Sequence, residues 1–440
     1  MFNLRMYILV AIFGSSSWLS TNSVWQELSL MVVALPEGWN LPSYLSAVVQ
    51  IGSVGPLIYL VIKKCTTFDF PKAPVIQGML ILLTICSLIT AFLWDKTAFV
   101  FGEERSISLI IIMFFMALIN TTSNVLFMPY MATFHPTYLT AYFHGMGLSA
   151  LIPSAFSLIQ GTGSYNCIKN ESTGAVEPHY LPPTFNVEIY NLIMFGWLLL
   201  AVVAFAFLHW GRHLIQFKAP ATSTAEWDFD KEKHEVQLAT SDLPADVFPP
   251  IKTQSFSDNK MIERKSFTRY SILLCYLAFI CIQMNGVMPD AQSYAALPYS
   301  QLTYHLALAI KNVTHALACF IPIWYQPTSL RALTILTLIA TGFCGYIVLL
   351  AFQSPYPFLH HSFWGGFFSV NAAIIASAFQ SYLRTVFTAV IRDDNPESDS
   401  RLFWCGIFMQ IGSVIGTAVM FPLINFAHIF KSGPACDQDS

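Results

Sequence analysis

The sequence predicts an all-α polytopic membrane protein of about eleven transmembrane helices arranged in two bundles. The chain is 55% hydrophobic and only 11% charged, whereas a soluble domain carries about 25% charged residues. A helix needs roughly 20 apolar residues to cross the hydrocarbon core of a bilayer. Stretches of this length without Asp, Glu, Lys or Arg occur at 75–94, 107–134, 189–208 and 332–352. Backbone amides have no water partner in lipid, so such stretches are predicted to be helical.

Apolar runs that are separated by polar residues, Gly or Pro predict the transmembrane helices in chain order. The first run begins at residue 6 and continues to Trp25 without a small-residue cleavage site. A retained helix is therefore predicted, and not a removable signal peptide. The predicted helix centres lie near Phe13, Ser53, Leu83, Ala117, Ala150, Leu199, Phe279, Lys311, Gly342, Ala376 and Val414.

A polar segment divides the chain. Residues 211–266 are rich in charge, Pro, Ser and Thr and lack apolar periodicity, which predicts a disordered cytoplasmic linker. We expect a six-helix bundle over 1–210 and a five-helix bundle with a short extracellular tail over 267–440. The linker returns the chain to the side on which it began, so the halves run parallel. This organisation is typical of carriers of the major-facilitator or equilibrative type, which bind substrate near the midplane.

The distribution of Lys and Arg predicts the orientation of the chain. Arg5, Lys63, Lys64 and the Lys and Arg residues of the linker fall on one side, which the positive-inside rule assigns to the cytoplasm. The N-terminus is then cytoplasmic and the C-terminus extracellular. Asn170, in an Asn-Glu-Ser sequence, falls outside and is a predicted glycosylation acceptor. Cys167 and Cys436 also fall outside, and their residues alone leave open whether they form a disulfide.

The first predicted helix offers one candidate binding face. Trp18, Asn22 and Trp25 follow at spacings of four and three residues, which places them on one side of a helix. Two indole rings and an amide suit a flat heterocycle, which they would stack on and hydrogen-bond at its edge. The alternative is an interfacial Trp pair with an amide that bonds a neighbouring helix.

Further polar groups at membrane depth are candidates, because such groups are costly in lipid unless they face a cavity or a partner. Glu27 is an ionisable residue beside the face just described and is a candidate for proton coupling. The other candidate substrate contacts are Gln50, Asn124, Tyr142, Asn285 and Tyr304.

Several functional classes lack their sequence signatures. The chain has no Walker A sequence, so an ATP-driven pump is not expected, and no HExxH or Gly-x-Ser-x-Gly motif, so a hydrolase is not expected. No basic run suggests nucleic acid, and no Cys/His spacing suggests a metal. The expectation is a carrier without a cofactor that transports a neutral, planar, polar solute.

The sequence resembles the eukaryotic riboflavin transporter family, solute carrier family 52. The resemblance covers both bundles and nearly all of the chain outside the linker. Its blocks are Gly14-x-x-Ser17-Trp18, Asn22-x-x-Trp25-x-Glu27-Leu28, Leu35-Pro36-Glu37-Gly38-Trp39, Ser123-Asn124-Val125, Gly145-x-Gly147-Leu148-Ser149, Asn285-Gly286-Val287, Tyr304-His305-Leu306-Ala307, Gln410-x-Gly412-Ser413 and Met420-Phe421-Pro422.

The resemblance implies uptake of riboflavin (vitamin B2) at the plasma membrane by a secondary carrier or facilitator. It implies that the first and seventh helices supply much of the binding cavity, and that Glu37 in the loop after the first helix contacts riboflavin on entry. Family members often carry Cys in the turn where this chain has Tyr356. A bridge from Cys436 to that turn is therefore impossible here, which leaves Cys167 or no bridge.

Two other functions are compatible with the same residues. A nucleoside or other heterocycle carrier would also need a stacking face with amides. A riboflavin-binding receptor that does not transport is disfavoured by the near-absence of extracellular domains. In either case the expected partners are the solute and the lipid bilayer, with the protein acting as a monomer.

Overall fold

The computed structural model describes residues 3–65, 71–100, 102–131, 134, 136–161, 165–169, 176–180, 182–211, 256–360, 362–394 and 399–433. The described part is nearly all helical, which confirms the predicted fold class. Its helices are α1 (Leu4–Ser15), α2 (Leu19–Ala34), α3 (Leu41–Gly52), α4 (Gly55–Cys65), α5 (Lys72–Leu93), α6 (Ile107–Met131), α7 (Pro136–Gln160), α8 (Val187–His209), α9 (Phe256–Cys281), α10 (Met288–Ala296), α11 (Gln301–Ala318), α12 (Leu330–Phe352), α13 (Phe363–Asp393) and α14 (Asp399–Asn425).

Among the described residues, ten helical stretches are long and apolar enough to cross a membrane, with mean hydropathy between 1.2 and 2.4. The eleventh predicted span is the first one, and it is divided into α1 and α2. Neither of these two helices reaches the length of a full span alone. Two short antiparallel hairpins lie in loops and pair Ala98–Val100 with Glu103–Arg105 and Tyr165–Lys169 with Val176–Tyr180.

The described residues of 1–210 and 273–440 form one compact unit, and the described residues of 211–272 belong to a second. In the second unit the structure describes residue 211 and residues 256–272, the first part of α9. Within the first unit we call α1–α8 the N-terminal half and the chain from Leu273 onward the C-terminal half. The predicted division into two bundles joined by a linker stays a prediction.

Helix interruptions occur at three places where the sequence predicted continuous spans. Residues 16–18 separate α1 from α2, residues 53 and 54 separate α3 from α4, and Ile282–Val287 form a π-helical turn between α9 and α10. Serine hydroxyls donate hydrogen bonds to backbone carbonyls at the first interruption, Ser16 Oγ to the carbonyl of Phe13 and Ser17 Oγ to the carbonyl of Gly14. Such bonds satisfy backbone groups that a broken helix would otherwise leave unpaired in lipid.

Close packing of the N-terminal half depends on small residues and aromatic rings. α1 and α7 approach so closely that a Cβ at Gly145 would overlap the carbonyl oxygen of Ala11, the kind of contact that only glycine permits between membrane helices. Phe13 of α1 also packs against two rings from other helices, and the ring centroids of Phe127 and Phe205 each lie 4.8 Å from its own. The result is a rigid aromatic core between α1, α6 and α8.

The described loop residues 35–40, 94–100, 102–106, 297–300, 353–360, 362 and 426–433 lie on one side of the helices, which we call the Trp39 side. Hydrogen bonds join them to each other, as from Tyr299 Oη to the Phe358 carbonyl at 2.6 Å and from Ser354 Oγ to the Lys431 carbonyl at 2.5 Å. Because successive spans alternate in direction, the ends of α4, α8 and α11 lie on the opposite side.

Candidate functional site

The face of α2 that carries Asn22 and Trp25 is partly accessible. Between Leu19 and Val32 every residue is buried except Asn22, Trp25 and Leu30. Trp18, which precedes the helix, is also half-buried. A helix that is packed on all other sides therefore leaves open the face on which the sequence placed the two indoles and the amide. This is the geometry expected of a binding face in a carrier.

Neighbouring helices hold two of these side chains in place. Trp18 Nε1 donates to Asn124 Oδ1 on α6 at 3.4 Å, and Asn22 Nδ2 donates to the backbone carbonyl of Ser149 on α7 at 3.1 Å. Asn124 is itself exposed. The amide oxygen of Asn22 is left for another donor, and so is the amide nitrogen of Asn124. The structure thus brings together three of the predicted contacts, Trp18, Asn22 and Asn124, from two helices.

Asn285 lies in the π-helical turn of the C-terminal half and is half-buried. Its Nδ2 donates to Ser413 Oγ on α14 at 2.8 Å. At the same turn Gly286 meets the backbone of Gly416, and Gly416 meets the carbonyl of Ile282, so α14 lies directly against it. π-helical turns inside α-helices occur frequently at functional sites.

Gln50 links the two halves. Gln410 Nε2 on α14 donates to Gln50 Oε1 on α3 at 3.0 Å, and both side chains are half-buried. An amide pair that is partly open to solvent can exchange its partner for a ligand at small cost, because the net contribution of a neutral hydrogen bond is only about 1 kcal/mol.

Tyr142 and Tyr304 lie in packed surroundings. Tyr142 is buried with its ring 5.9 Å from that of Phe13, in the aromatic core of the N-terminal half. Tyr304 is fully buried, and its hydroxyl has no hydrogen-bond partner among the described residues. The contacts give Tyr142 a packing role, whereas the unpaired hydroxyl of Tyr304 leaves a donor and acceptor for another group. Substrate contact stays a prediction for both.

The two predicted acidic candidates differ in their partners. Glu27 is 1% exposed, and one carboxyl oxygen accepts from Gln160 Nε2 at 3.3 Å while the other has no partner among the described residues. Glu37 accepts from Ser106 N at 2.7 Å and from Ser106 Oγ at 2.5 Å. Because Ser106 directly precedes α6, Glu37 closes the N-terminus of that helix. Its carboxylate is occupied by these bonds, and the predicted contact with an entering solute has no support from its geometry.

Three predicted modification sites lie outside what the structure describes. Asn170 and Cys436 are not among the described residues, and the side chain of Cys167 within its strand is not described. Glycosylation and the disulfide therefore stay predictions.

Asp290 on α10 was not selected from the sequence as a site residue. It is 1% exposed, and neither carboxyl oxygen has a hydrogen-bond partner among the described residues. The available signal was a single carboxylate within the apolar stretch 267–296, because ionisable residues inside membrane spans are functional candidates by default. Because the predicted helix is centred near Phe279, Asp290 falls close to its end, where a charged residue is not unusual.

One cavity of about 290 Å³ lies away from all of these residues. It opens at the Trp39 side between the end of α5 and the start of α8, with Trp94, Lys96 and Glu188 among its lining residues. None of the predicted substrate contacts lines it. We therefore place the candidate site at the face of α2 and the π-helical turn.

Comparison with known proteins gives consistent results. Residues 2–432 match the family described as solute carrier family 52, riboflavin transporter. The riboflavin transporter rft-1 of Caenorhabditis elegans is 44% identical over 98% of both chains. Member 3 of the riboflavin transporter family from Homo sapiens is 30% identical over 98% of both chains. Among solved structures, a D-xylose-proton symporter superposes with a TM-score of 0.58 at 12% identity, covering 97% of this chain and 92% of its own.

Proposed function

The chain belongs to solute carrier family 52, the riboflavin transporters, and from this premise we propose that it carries riboflavin across the plasma membrane as a secondary carrier without ATP. Membership confirms the resemblance read from the sequence, and the protein is a transporter and not an enzyme. The substrate, the membrane and the mechanism for this chain are the parts that we propose.

The observation that carries the proposal is the open face of α2. Trp18 and Trp25 offer indole rings for the isoalloxazine system, which is large, flat and aromatic. Asn22 keeps a free amide oxygen after its bond to Ser149, and this oxygen suits the N–H on the uracil-like edge of the ring. Two further amides belong to the N-terminal half, the exposed side chain of Asn124 and the half-buried side chain of Gln50. Both can donate to and accept from the ribityl hydroxyls.

The mechanism that we propose is alternating access between the two halves. On the Trp39 side the halves are joined by Ser293 Oγ to the Trp39 carbonyl at 2.9 Å, by Asn425 Nδ2 to Ser43 Oγ at 2.8 Å and by an edge-to-face contact of Tyr44 with Phe421. With the orientation predicted from Lys and Arg, this side faces the outside. The arrangement is then the one closed to the exterior, and uptake requires these contacts to open.

The test is uptake of labelled riboflavin into cells that express the parent chain, Asn22→Ala or Asn371→Ala at equal surface level. Asn371 is a matched control, because its amide bonds the Phe367 carbonyl within its own helix. We expect uptake by the parent and the control and a loss of about five- to 150-fold for Asn22→Ala, since an amide bond to substrate and its desolvation are worth about 1–3 kcal/mol.

Three results would count against the proposal. If the parent chain shows no uptake above background, riboflavin is not its substrate. If unlabelled uridine competes as well as lumiflavin, the stacking face serves a broader class of heterocycles. Equal uptake by Asn22→Ala and the control would remove the face of α2 from the site.

A further inference from the structure

Asp290 lies at the junction of three helices from both halves. α10 packs against α3 of the N-terminal half and against α14 through the adjoining π-helical turn. The Ser46 hydroxyl on α3 faces the carboxyl, although neither group completes a hydrogen bond. Ser46 falls on α3 between Ser43 and Gln50, both of which hydrogen-bond α14. Asp290 therefore lies between two bonds that join the halves.

Among the described residues, no Lys, Arg or His side chain forms an ion pair or a hydrogen bond with Asp290. α10 continues directly from the π-helical turn, so no free helix N-terminus faces the carboxyl. The π-helical turn, α13 over 363–381 and α14 over 406–425 carry no titratable side chain. The titratable or charged groups on or next to the packed elements are Tyr294 on α10, Tyr44 on α3 with Arg105 over its ring and Glu37 near it, Tyr304 and His305 on α11, and Cys344 and Tyr346 on α12. Lys311 lies further along α11, beside His315.

Each of these groups has a contact other than Asp290 or is uncharged. Tyr294 bonds Asn40, and His305 Nδ1 meets Ser29 Oγ at 3.3 Å. Glu37 is bonded by Ser106. An ionised Asp290 would therefore be a buried charge without a counter-ion among the described residues and with one neutral hydroxyl, that of Ser46, beside it, which is among the least favourable arrangements in a protein interior. A carboxyl that has bound a proton is neutral and is tolerated there.

We propose that Asp290 is a proton-binding site and that binding of a proton to its carboxylate permits α10 to close against α3. When the proton is lost, the charge draws water into the junction and the Trp39 side opens. The only chemical change in this step is the transfer of a proton from water to a carboxyl oxygen of Asp290 and back. The site is separate from Glu27, whose carboxyl faces Gln160 on α7. Its coupling to uptake rests on the proposed function, but its effect on closure does not.

The test follows closure directly. Ser293 is fully buried, and its hydroxyl contacts the Trp39 carbonyl across the junction. In Ser293→Cys, a membrane-impermeant maleimide reports opening as labelling above that of the parent chain, with no riboflavin present. We expect labelling to rise with external pH, because one bound proton makes the closed population fall about tenfold per pH unit once the carboxyl is largely ionised. Adding Asp290→Asn should hold labelling at its low level at every pH.

Matched variants distinguish the alternatives. Asp95→Asn makes the same change at an exposed carboxylate that pairs with Lys96, and it should keep the pH response of the parent. Asp290→Glu keeps a carboxyl and should also keep a pH response, which tests the proposal if Asp290→Asn does not reach the surface. Labelling is repeated with sodium replaced by choline to separate a proton from a metal cation.

Several results would overturn the inference. These are labelling that does not change with pH in the Ser293→Cys chain, a pH response that survives Asp290→Asn, a response that follows sodium, or a response abolished by Glu27→Gln alone. Riboflavin uptake measured in the same cells separates the two proposals. If the parent takes up no riboflavin but labelling behaves as expected, the proposed function fails and the proton site stands.

Discussion

Glu37 gives the sharpest distinction between a structural and a binding role. Its carboxylate accepts two bonds from Ser106, at 2.7 Å from the backbone N and 2.5 Å from the hydroxyl, and both residues are buried. In Glu37→Ala both donors lose their partner. A hydrogen bond to a charged group contributes about 1.5–3 kcal/mol, so the loss of two predicts a decrease of roughly 3–6 kcal/mol in the free energy of unfolding.

Glu37→Gln is the matched variant. The glutamine oxygen can accept from Ser106 N while its amide donates to Ser106 Oγ, so both bonds survive without the charge. Loss of the charge at the N-terminus of α6 costs about 0.3–1 kcal/mol through the helix dipole, and weaker bonds add a similar amount. We therefore expect Glu37→Gln to be destabilised by roughly 1–2 kcal/mol.

The assay is equilibrium or thermal unfolding of the purified protein in detergent, with riboflavin uptake measured at equal surface level. A capping role predicts that stability falls in the order parent, Gln, Ala, while the KM of the molecules that reach the surface stays unchanged. If Glu37→Ala keeps the stability of the parent but raises KM, the capping argument is wrong and Glu37 contacts the solute at entry.

Three further predictions concern packing, stacking and the contact between the halves. Gly145→Ala should destabilise the protein by about 1–3 kcal/mol, because its Cβ would overlap the carbonyl of Ala11, whereas Gly342→Ala has nothing within 4 Å and should be neutral or stabilising by up to about 1 kcal/mol; thermal unfolding of both checks this, and equal shifts would contradict it. Trp18→Phe keeps a ring but loses one long hydrogen bond, so KM should rise less than about tenfold, and a loss as complete as in Trp18→Ala would show that the indole N–H dominates. Gln410→Ala removes an amide pair and should cost about 1 kcal/mol; a double-mutant cycle with its partner that gives no coupling energy would exclude the bond.

Much of the fold follows from hydropathy alone. Uncharged apolar stretches such as 75–94 and 332–352 became α5 and α12, since the need to satisfy backbone amides in lipid leaves helices as the solution. The interruptions at 16–18 and 282–287 were not predicted. The first depends on serine hydroxyls that donate to the released carbonyls, and the second lies against the backbone of α14. A one-dimensional pattern does not contain those neighbours.

The candidate site was predicted in part. Helical spacing was enough to place Asn22 and Trp25 on one face, because that relation is local. Spacing does not give the surroundings of Tyr142, because they depend on which face of α7 meets Phe13, and substrate contact by Tyr142 stays a prediction. Asp290 was not selected although its carboxyl lies within an apolar stretch, because the absence of an ion partner among the described residues around it becomes visible only after the helices are packed.

The π-helical turn at Ile282–Val287 also fixes how α10 is presented to α3. A turn of this kind holds one more residue than an ordinary turn, and each residue of an α-helix advances the side chains by about 100°. Removing one residue from the turn would therefore swing Asp290 and Tyr294 about a quarter of a revolution away from α3 while leaving the membrane span its length. The extra residue therefore sets the rotation of α10 about its own axis, and the polar junction on the Trp39 side forms only at that rotation.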